Sequence, residues 1–405
     1  MSDKLVVENL VKVFGDDPER AVRMLKAGHR KPDILKETGM TVGVSGVDFT
    51  VGEGEIFVVM GLSGLGKSTL IRMINRLIDP SSGSITVDGE SITEADADTL
   101  RRIRRDKLAM VFQHFALFPH RTVRENVEFG LKTRGVEPAK RRERAMEMLE
   151  QVGLEAWAEK PPASLSGGMQ QRVGLARGLA VDPEILLMDE PFSALDPLIR
   201  ADMQGELITL QNKLRKTIVF ITHDLDEALI LGDRIAIMEE GRFVQVGTAE
   251  EIVANPASDY VAAFTQDIDR GRVFTAASVM VPPEALDLAR DGAQSALERM
   301  ERLGRDALYV LDEGRVAGAV RYRDLAAALR GNGADLGSHL ITDYPTTAPD
   351  THLYRMFRLC ASGLPVAVID AEGRLAGLAE PDAVFGQLAP REDAGGASAQ
   401  SRMQG

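Results

Sequence analysis

The loop Gly61-Leu62-Ser63-Gly64-Leu65-Gly66-Lys67-Ser68-Thr69 stands directly after an apolar run, EIFVVM at 55–60, and opens a segment of helical spacing, STLIRMINRLI at 68–78. A glycine-rich turn between a strand and a helix lets backbone N–H groups point inward around phosphate oxygens, and the helix N-terminus adds its positive end. In the pattern G-x-x-x-x-G-K-[ST], Lys67 supplies a point charge between β- and γ-phosphates and Ser68 a hydroxyl for Mg²⁺. The loop therefore demands a buried strand before it, a helix after it and a sheet that holds both.

Similar apolar runs recur as ILLMD at 185–189, IVFIT at 218–222 and RIAIM at 234–238. Such near-continuous runs read as strands covered on both faces, as in a parallel sheet flanked by helices. Helical patterns lie between them, at 138–151, 168–180 and 197–215. The first two thirds of the chain thus read as one large α/β domain. The run at 185–189 ends in two acids. Asp189, at the C-terminal end of its strand, is placed to hold Mg²⁺ through its water shell. Glu190 beside it is placed to polarise an attacking water as general base, the competing role for the pair being to cap the next helix.

Composition narrows the partners. With 48 Lys and Arg against 61 Asp and Glu, the net charge is −13. This argues against nucleic acid, whose binding rests on many cationic contacts that displace counterions. The single cysteine, Cys360, excludes an internal disulfide framework and a Cys-rich zinc cluster. MSDKLVVENL lacks the regions of a signal peptide, and no window approaches the roughly 18 apolar residues that span a bilayer. The expectation is a soluble, cytosolic protein unless a partner holds it at a membrane.

Two further features divide the chain. In 16–39, Asp17-Pro18 and Pro32-Asp33 are helix-start signals with Gly28 and Gly39 as stops, giving two short helices. A surface insertion and a partner-binding element are both open for them. Later, EGRVAG at 313–318 returns as EGRLAG at 372–377. Each copy follows an apolar strand and precedes a helical stretch, with Gly314 and Gly373 where a hairpin turn belongs. Two copies of a small α/β unit follow from this.

LSGGMQQR at 165–172 resembles the signature motif of ABC ATPases, a short way before the strand that ends in Asp189. Gln113 in VFQHFALFPH resembles their Q-loop, Ser193-Ala194-Leu195-Asp196 their D-loop and His223 in ITHD their switch histidine. Phe14 in VKVFG aligns with the aromatic that stacks on adenine. Leu65 departs from the family's usual Ser or Cys, with little effect expected where backbone atoms bind. The resemblance implies a P-loop NTPase domain of the ABC type over residues 1–265. It implies ATP held by Phe14 and the loop Gly61 to Thr69, and in a head-to-tail homodimer by Ser166, Gly167, Gly168 and Asp196. It also implies Mg²⁺ at Ser68, Gln113 and Asp189, and hydrolysis by Glu190, His223 and Gln113. Lys67 and Ser166 are 99 positions apart, with one cassette and no spanning segment, which fits an importer subunit better than an exporter, a repair ATPase or a translation factor.

More narrowly, the chain is similar over 4–265 to ATP-binding subunits of glycine betaine/proline betaine importers. The insertion at 16–39 and the segments 110–126, 193–207 and 223–238 carry this likeness. The C-terminal repeat resembles a tandem CBS module: a linker at 266–275, repeats at 276–333 and 334–390, and a disordered tail at 391–405. The family then implies two permease subunits, a separate solute-binding protein or domain, and a peripheral place on the cytoplasmic face of the inner membrane. Choline, carnitine or another amine stays open as the solute, because the ATPase subunit never touches it. In the family the Q-loop region contacts the permease, so Phe115, Leu117 and Phe118 are read as interface or as core. The adenosine-binding hydroxyl position of CBS repeats holds Arg321 and Glu380 here, so anionic lipid at Arg321 and Arg323, a cyclic dinucleotide, dimer packing and a gate sensitive to ionic strength are the readings kept for the module.

Overall fold

The apolar runs become the middle of a six-stranded sheet in a computed structural model that describes residues 3–113, 115–330 and 335–388. Its order is Leu108–Phe112, Ile185–Asp189, Thr217–Thr222, Ile56–Met60, Arg234–Glu239 and Arg242–Gly247, parallel except for the last strand. Alternation within Ile56–Met60 explains why every position is apolar. Phe57 and Val59 pack with Leu70, Ile71 and Ile221 on one face, while Val58 and Met60 pack with Val127, Val173 and Phe220 on the other. The first face is closed by an antiparallel sheet in the order Thr41–Gly52, Asp3–Phe14, Ser82–Val87 and Glu90–Ser91. The second is closed by helices, among them Gly167–Ala180 and Pro197–Leu214.

Strand register decides where the chemistry sits. Met60 lies opposite Thr222, Ile221 opposite Asp189, and Asp189 opposite Phe112. Gly61, His223, Glu190 and Gln113 therefore leave four adjacent parallel strands at the same edge, the C-terminal one where α/β sheets bind ligands.

The segment 16–39 forms the helices Pro18–Lys26 and Lys31–Thr38. Asp17 caps the first by accepting from Arg20 N, and Gly39, at φ 70°, ends the second in the left-handed conformation that glycine favours. Ala21, Val22 and Ile34 bury a small core of their own against Val11, Val13, Met40 and Val42.

The chain divides between Thr265 and Gln266 into two compact units. The second contains two three-stranded sheets, Ala285–Asp287, Ala307–Asp312 and Arg315–Arg321 in one and Thr346–Thr347, Val366–Ile369 and Leu375–Ala379 in the other. Glu313 (φ 48°) and Gly314 (φ 83°) make a two-residue hairpin whose both central positions are left-handed, the twist that strand pairs prefer. The repeats exchange backbone. Val281, ahead of the first sheet, bridges to Leu378 in the second, and Ile341, ahead of the second, bridges to Ala319 in the first. The two residues at the hydroxyl position cross over as well: Arg321 Nη2 donates to Ser362 O at 3.1 Å and Glu380 pairs with Arg305 at 3.0 Å. Residues 266–275, expected as a linker, hold the short helix Arg270–Val273, with Val273 and Phe274 buried and Leu353 N donating to Phe274 O within the second unit. The tail expected at 391–405 lies outside the described residues.

Candidate nucleotide site

Lys67 begins the helix Lys67–Ile74, and its side chain is 3% exposed. Its ammonium donates to Gly61 O at 2.7 Å and Leu62 O at 3.0 Å, directed into the loop, and stands 3.7 Å from Glu190 Oε1. Burial lowers its pKa, while Glu190 and then Asp189 pull the other way. Gly66 must be glycine twice over: its φ is 103°, and a Cβ would collide with the carbonyl of Gly43.

Ser68 Oγ donates to Asp189 Oδ1 at 2.8 Å, and Arg72 Nη2 lies 3.4 Å from Asp189 Oδ2. A hydroxyl and a carboxylate at this separation are hard oxygen donors, the set that suits Mg²⁺ completed by phosphate and water. Glu190 carries φ 46°, an uncommon conformation for a side chain of its kind. Its N–H donates to Ile221 O at 3.0 Å, and its Oε2 meets His223 Nδ1 at 2.9 Å. Gln113 Nε2 donates to Ser193 Oγ at 3.0 Å, which in turn donates to Glu190 O at 3.0 Å.

Phe14 ends its strand, 43% exposed as a residue, beside the loop helix. A Cβ on Gly43 would lie 3.0 Å from that ring and 3.6 Å from Thr69 Cγ2, so only a hydrogen-sized residue separates Phe14 from the helix carrying Lys67. Ser166 caps the helix Gly167–Ala180 by accepting from Met169 N, and Asp196 caps Pro197–Leu214 by accepting from Ile199 N. Gly168 packs on Ile199 so closely that a Cβ would overlap it, and Gly167 faces Leu195 and Phe115. The structure thus gathers Lys67, Ser68, Gln113, Asp189, Glu190 and His223 into one linked cluster with Phe14 at the loop helix. It sets Ser166, Gly167, Gly168 and Asp196 on two capped helix starts packed against each other.

Three residues of this network carry no motif signal. Arg72 pairs with Asp189, and Arg200 Nη1 donates to Asp224 at 2.9 Å while its Nη2 donates to Leu195 O at 3.2 Å. Glu227, 3% exposed, accepts from Thr222 Oγ1 at 2.6 Å and from Gln204 Nε2 at 3.3 Å. Burial raises its pKa. The helical spacing of Arg200 and Gln204 puts both on one side of their helix, which is the only hint the sequence offers.

Residues 44–193 match the family model of ABC transporters, and 275–331 match that of CBS domains. The chain is 49% identical over 95% of its length to the glycine betaine transport ATP-binding protein OpuAA of Bacillus subtilis, covering 92% of that protein. It is 46% identical over 93% of its length to the glycine betaine/proline betaine transport system ATP-binding protein ProV of Salmonella typhimurium, covering 96% of that protein. Among solved structures, the dimeric post-hydrolysis state of the ATP-binding cassette MJ0796 bound to ADP and Pi aligns with 60% of this chain and 98% of its own at 33% identity, with a TM-score of 0.51. With a phosphate loop, a paired-acid strand and a signature helix on one cassette, and with relatives matched along nearly their full length, the chain belongs to the ABC transporter ATP-binding subunits of the glycine betaine/proline betaine type.

Proposed function

We propose that this chain hydrolyses ATP to drive uptake of a quaternary amine osmoprotectant, glycine betaine or proline betaine, as one of two copies beneath a permease pair fed by a solute-binding protein. The linked cluster of Lys67, Ser68, Asp189, Glu190 and His223 carries the enzymatic part of this reading. Relatives at nearly half identity over more than nine tenths of their length carry the substrate class.

Each side chain has a task set by its position. Lys67 and the N-terminus of its helix hold the β- and γ-phosphates. Phe14 offers a flat exposed face to adenine. Ser68 and Asp189, with Gln113, would hold Mg²⁺, which supplies charge neutralisation on the phosphates when bound. Glu190 accepts the proton of the attacking water. His223, hydrogen-bonded to the same carboxylate, holds that water and the γ-phosphate in line. Ser166, Gly167 and Gly168 reach the nucleotide of the second copy, where the dipole of Gly167–Ala180 adds stabilisation of negative charge.

Membrane attachment comes through the permease, because no helix among the described residues is long and apolar enough to cross a bilayer. A groove of about 580 Å³ lined by Arg101, Arg105, Met110, Phe129, Arg134 and Arg177 offers a docking place for it. Arg177 donates from this groove to Phe115 O and Ala116 O, which ties the groove to the Gln113 loop. Phe115 and Leu117 pack on the main core, while Phe118 packs at a tilt against Phe129 with the Arg121 guanidinium over its ring. The second unit gates the ATPase according to ionic strength.

The test is reconstitution of this chain with a permease and a solute-binding protein from its own organism, measuring labelled glycine betaine uptake. Glu190→Gln should still bind ATP while phosphate release falls by about 10²- to 10⁴-fold and uptake stops. Wild-type turnover in that variant would refute the base. ATP-driven uptake of another solute with none of glycine betaine or proline betaine would refute the substrate class.

A further inference from the structure

The insertion carries one charged side chain that turns inward. Lys31 opens the helix Lys31–Thr38, and its Nζ donates to the carbonyl of Gly43 at 3.2 Å. That carbonyl is a crowded point. A Cβ on Gly66 would collide with it, and a Cβ on Gly241 would collide both with it and with Lys31 Nζ. Gly241 O accepts from Ser45 N at 2.9 Å, closing the turn onto the same strand. Gly43 itself backs the ring of Phe14 and the methyl of Thr69. One backbone carbonyl therefore meets the last glycine of the phosphate loop, the Glu240–Gly241 turn and the ammonium of the insertion, on the residue that spaces Phe14 from the loop helix.

We propose that Lys31 is a positioning residue for ATP: it clamps the Gly43 carbonyl against Gly66 and so fixes the gap between the Phe14 face and the phosphate loop. The inference rests on the nucleotide site assigned above. Anchoring alone does not call for a cation here, since Ala21, Val22 and Ile34 already seat the insertion on Val11, Val13, Met40 and Val42. Burial is unfavourable for an ammonium and lowers its pKa to about 8, with Glu240 opposing and Arg242 adding to the fall. A charge kept there at a cost to stability is explained by what it holds. Through Lys31 the insertion acts on the affinity of the site without touching the nucleotide.

The experiment compares full-length wild type with Lys31→Met, Lys31→Arg and Lys31→Gln, using ATP and Mg²⁺ in titration calorimetry and steady-state phosphate release. Lys31→Met should raise Kd and KM about tenfold, the scale of one lost hydrogen bond to a charged group. kcat should stay within about twofold, and Lys31→Arg should restore affinity. Wild-type affinity in Lys31→Met, or a loss confined to kcat, overturns the proposal. Thermal unfolding checks that the variant folds. Should Lys31→Met not fold, Lys31→Gln carries the test, with weakened affinity supporting the clamp and wild-type affinity overturning it. Lys67→Ala separates the two readings: if it binds ATP like wild type, the assigned site is wrong. If it abolishes binding while Lys31→Met does not weaken it, only the clamp fails.

Discussion

Glu190 shows how a backbone choice aims a side chain. Its φ of 46° is sparsely populated for a residue with a Cβ, a conformation that costs about 1–3 kcal/mol and persists only when the surroundings over-determine it. Here the N–H bond to Ile221 O fixes the backbone, and Lys67 and His223 take the two carboxylate oxygens. Lys31 gives a prediction of a different kind. Its native pKa lies at about 8 against an ordinary 10.5, so between those values the unfolded chain binds more protons. Stability relative to Lys31→Met therefore rises with pH through that window and is flat below it. Urea midpoints of both proteins from pH 7 to 10, with Glu240 and Arg242 intact in each, would reveal the slope; parallel profiles would contradict it. Lys67, Ser68, Asp189 and Glu190 are legible in the sequence because their chemistry dictates type and spacing within short segments, whereas His223 is legible only through its resemblance to the switch histidine. Lys31 and Arg200 were not legible, because the destination of a long side chain depends on which distant carbonyl the fold brings near.

Among elements, the helix Pro197–Leu214 joins the two loops that flank the cluster. Arg200 reaches back to Leu195 O and across to Asp224, while Gln204, one turn on, reaches Glu227. Thr222 and Asp224, the neighbours of His223, are both held by this network. Arg200→Met should cost about 2 kcal/mol, less than the ~3–5 of a fully buried pair because Arg200 keeps partial exposure. It should also lower kcat more than it raises the KM for ATP, since it loosens His223 rather than the phosphate loop. Glu227→Gln should be milder, because burial already disfavours its charge. Denaturation together with phosphate release decides this; a stable, fully active Arg200→Met would refute the coupling. The four apolar runs became strands as expected. Leu108–Phe112 is a fifth continuous apolar run, LAMVF, and forms the edge strand of the sheet, with only Leu108 and Val111 buried. The long antiparallel strands Asp3–Phe14 and Thr41–Gly52 were hidden, since charged and bulged positions interrupt their alternation.

For the molecule as a whole, the division between Thr265 and Gln266 sets where a clean truncation belongs. A chain ending at Thr265 should keep ATP hydrolysis and lose the dependence of transport on salt. Exposed charges are screened over ~10 Å at 0.1 M but ~3 Å at 1 M, which gives a charged unit a physical means of reading salt. Uptake measured against salt in vesicles tests this, and an unchanged threshold would remove the second unit from regulation. Cutting later, at 276, would leave the buried Val273 and Phe274 without the helix Leu353–Cys360 that they meet. The repeat EGRVAG and EGRLAG revealed two copies but not their exchange, because the crossing contacts of Val281 and Ile341 lie outside the repeated words.

That exchange bears on how such a module is inherited. Each half borrows a backbone segment from the other, and Arg321 and Glu380 bind across the pair in opposite directions. A gene that stopped between the repeats would encode a sheet with its edge open and an arginine with no carbonyl to meet. Duplication could bring the two copies into being, and the crossing contacts then make the fold of each half depend on the segment its neighbour lends.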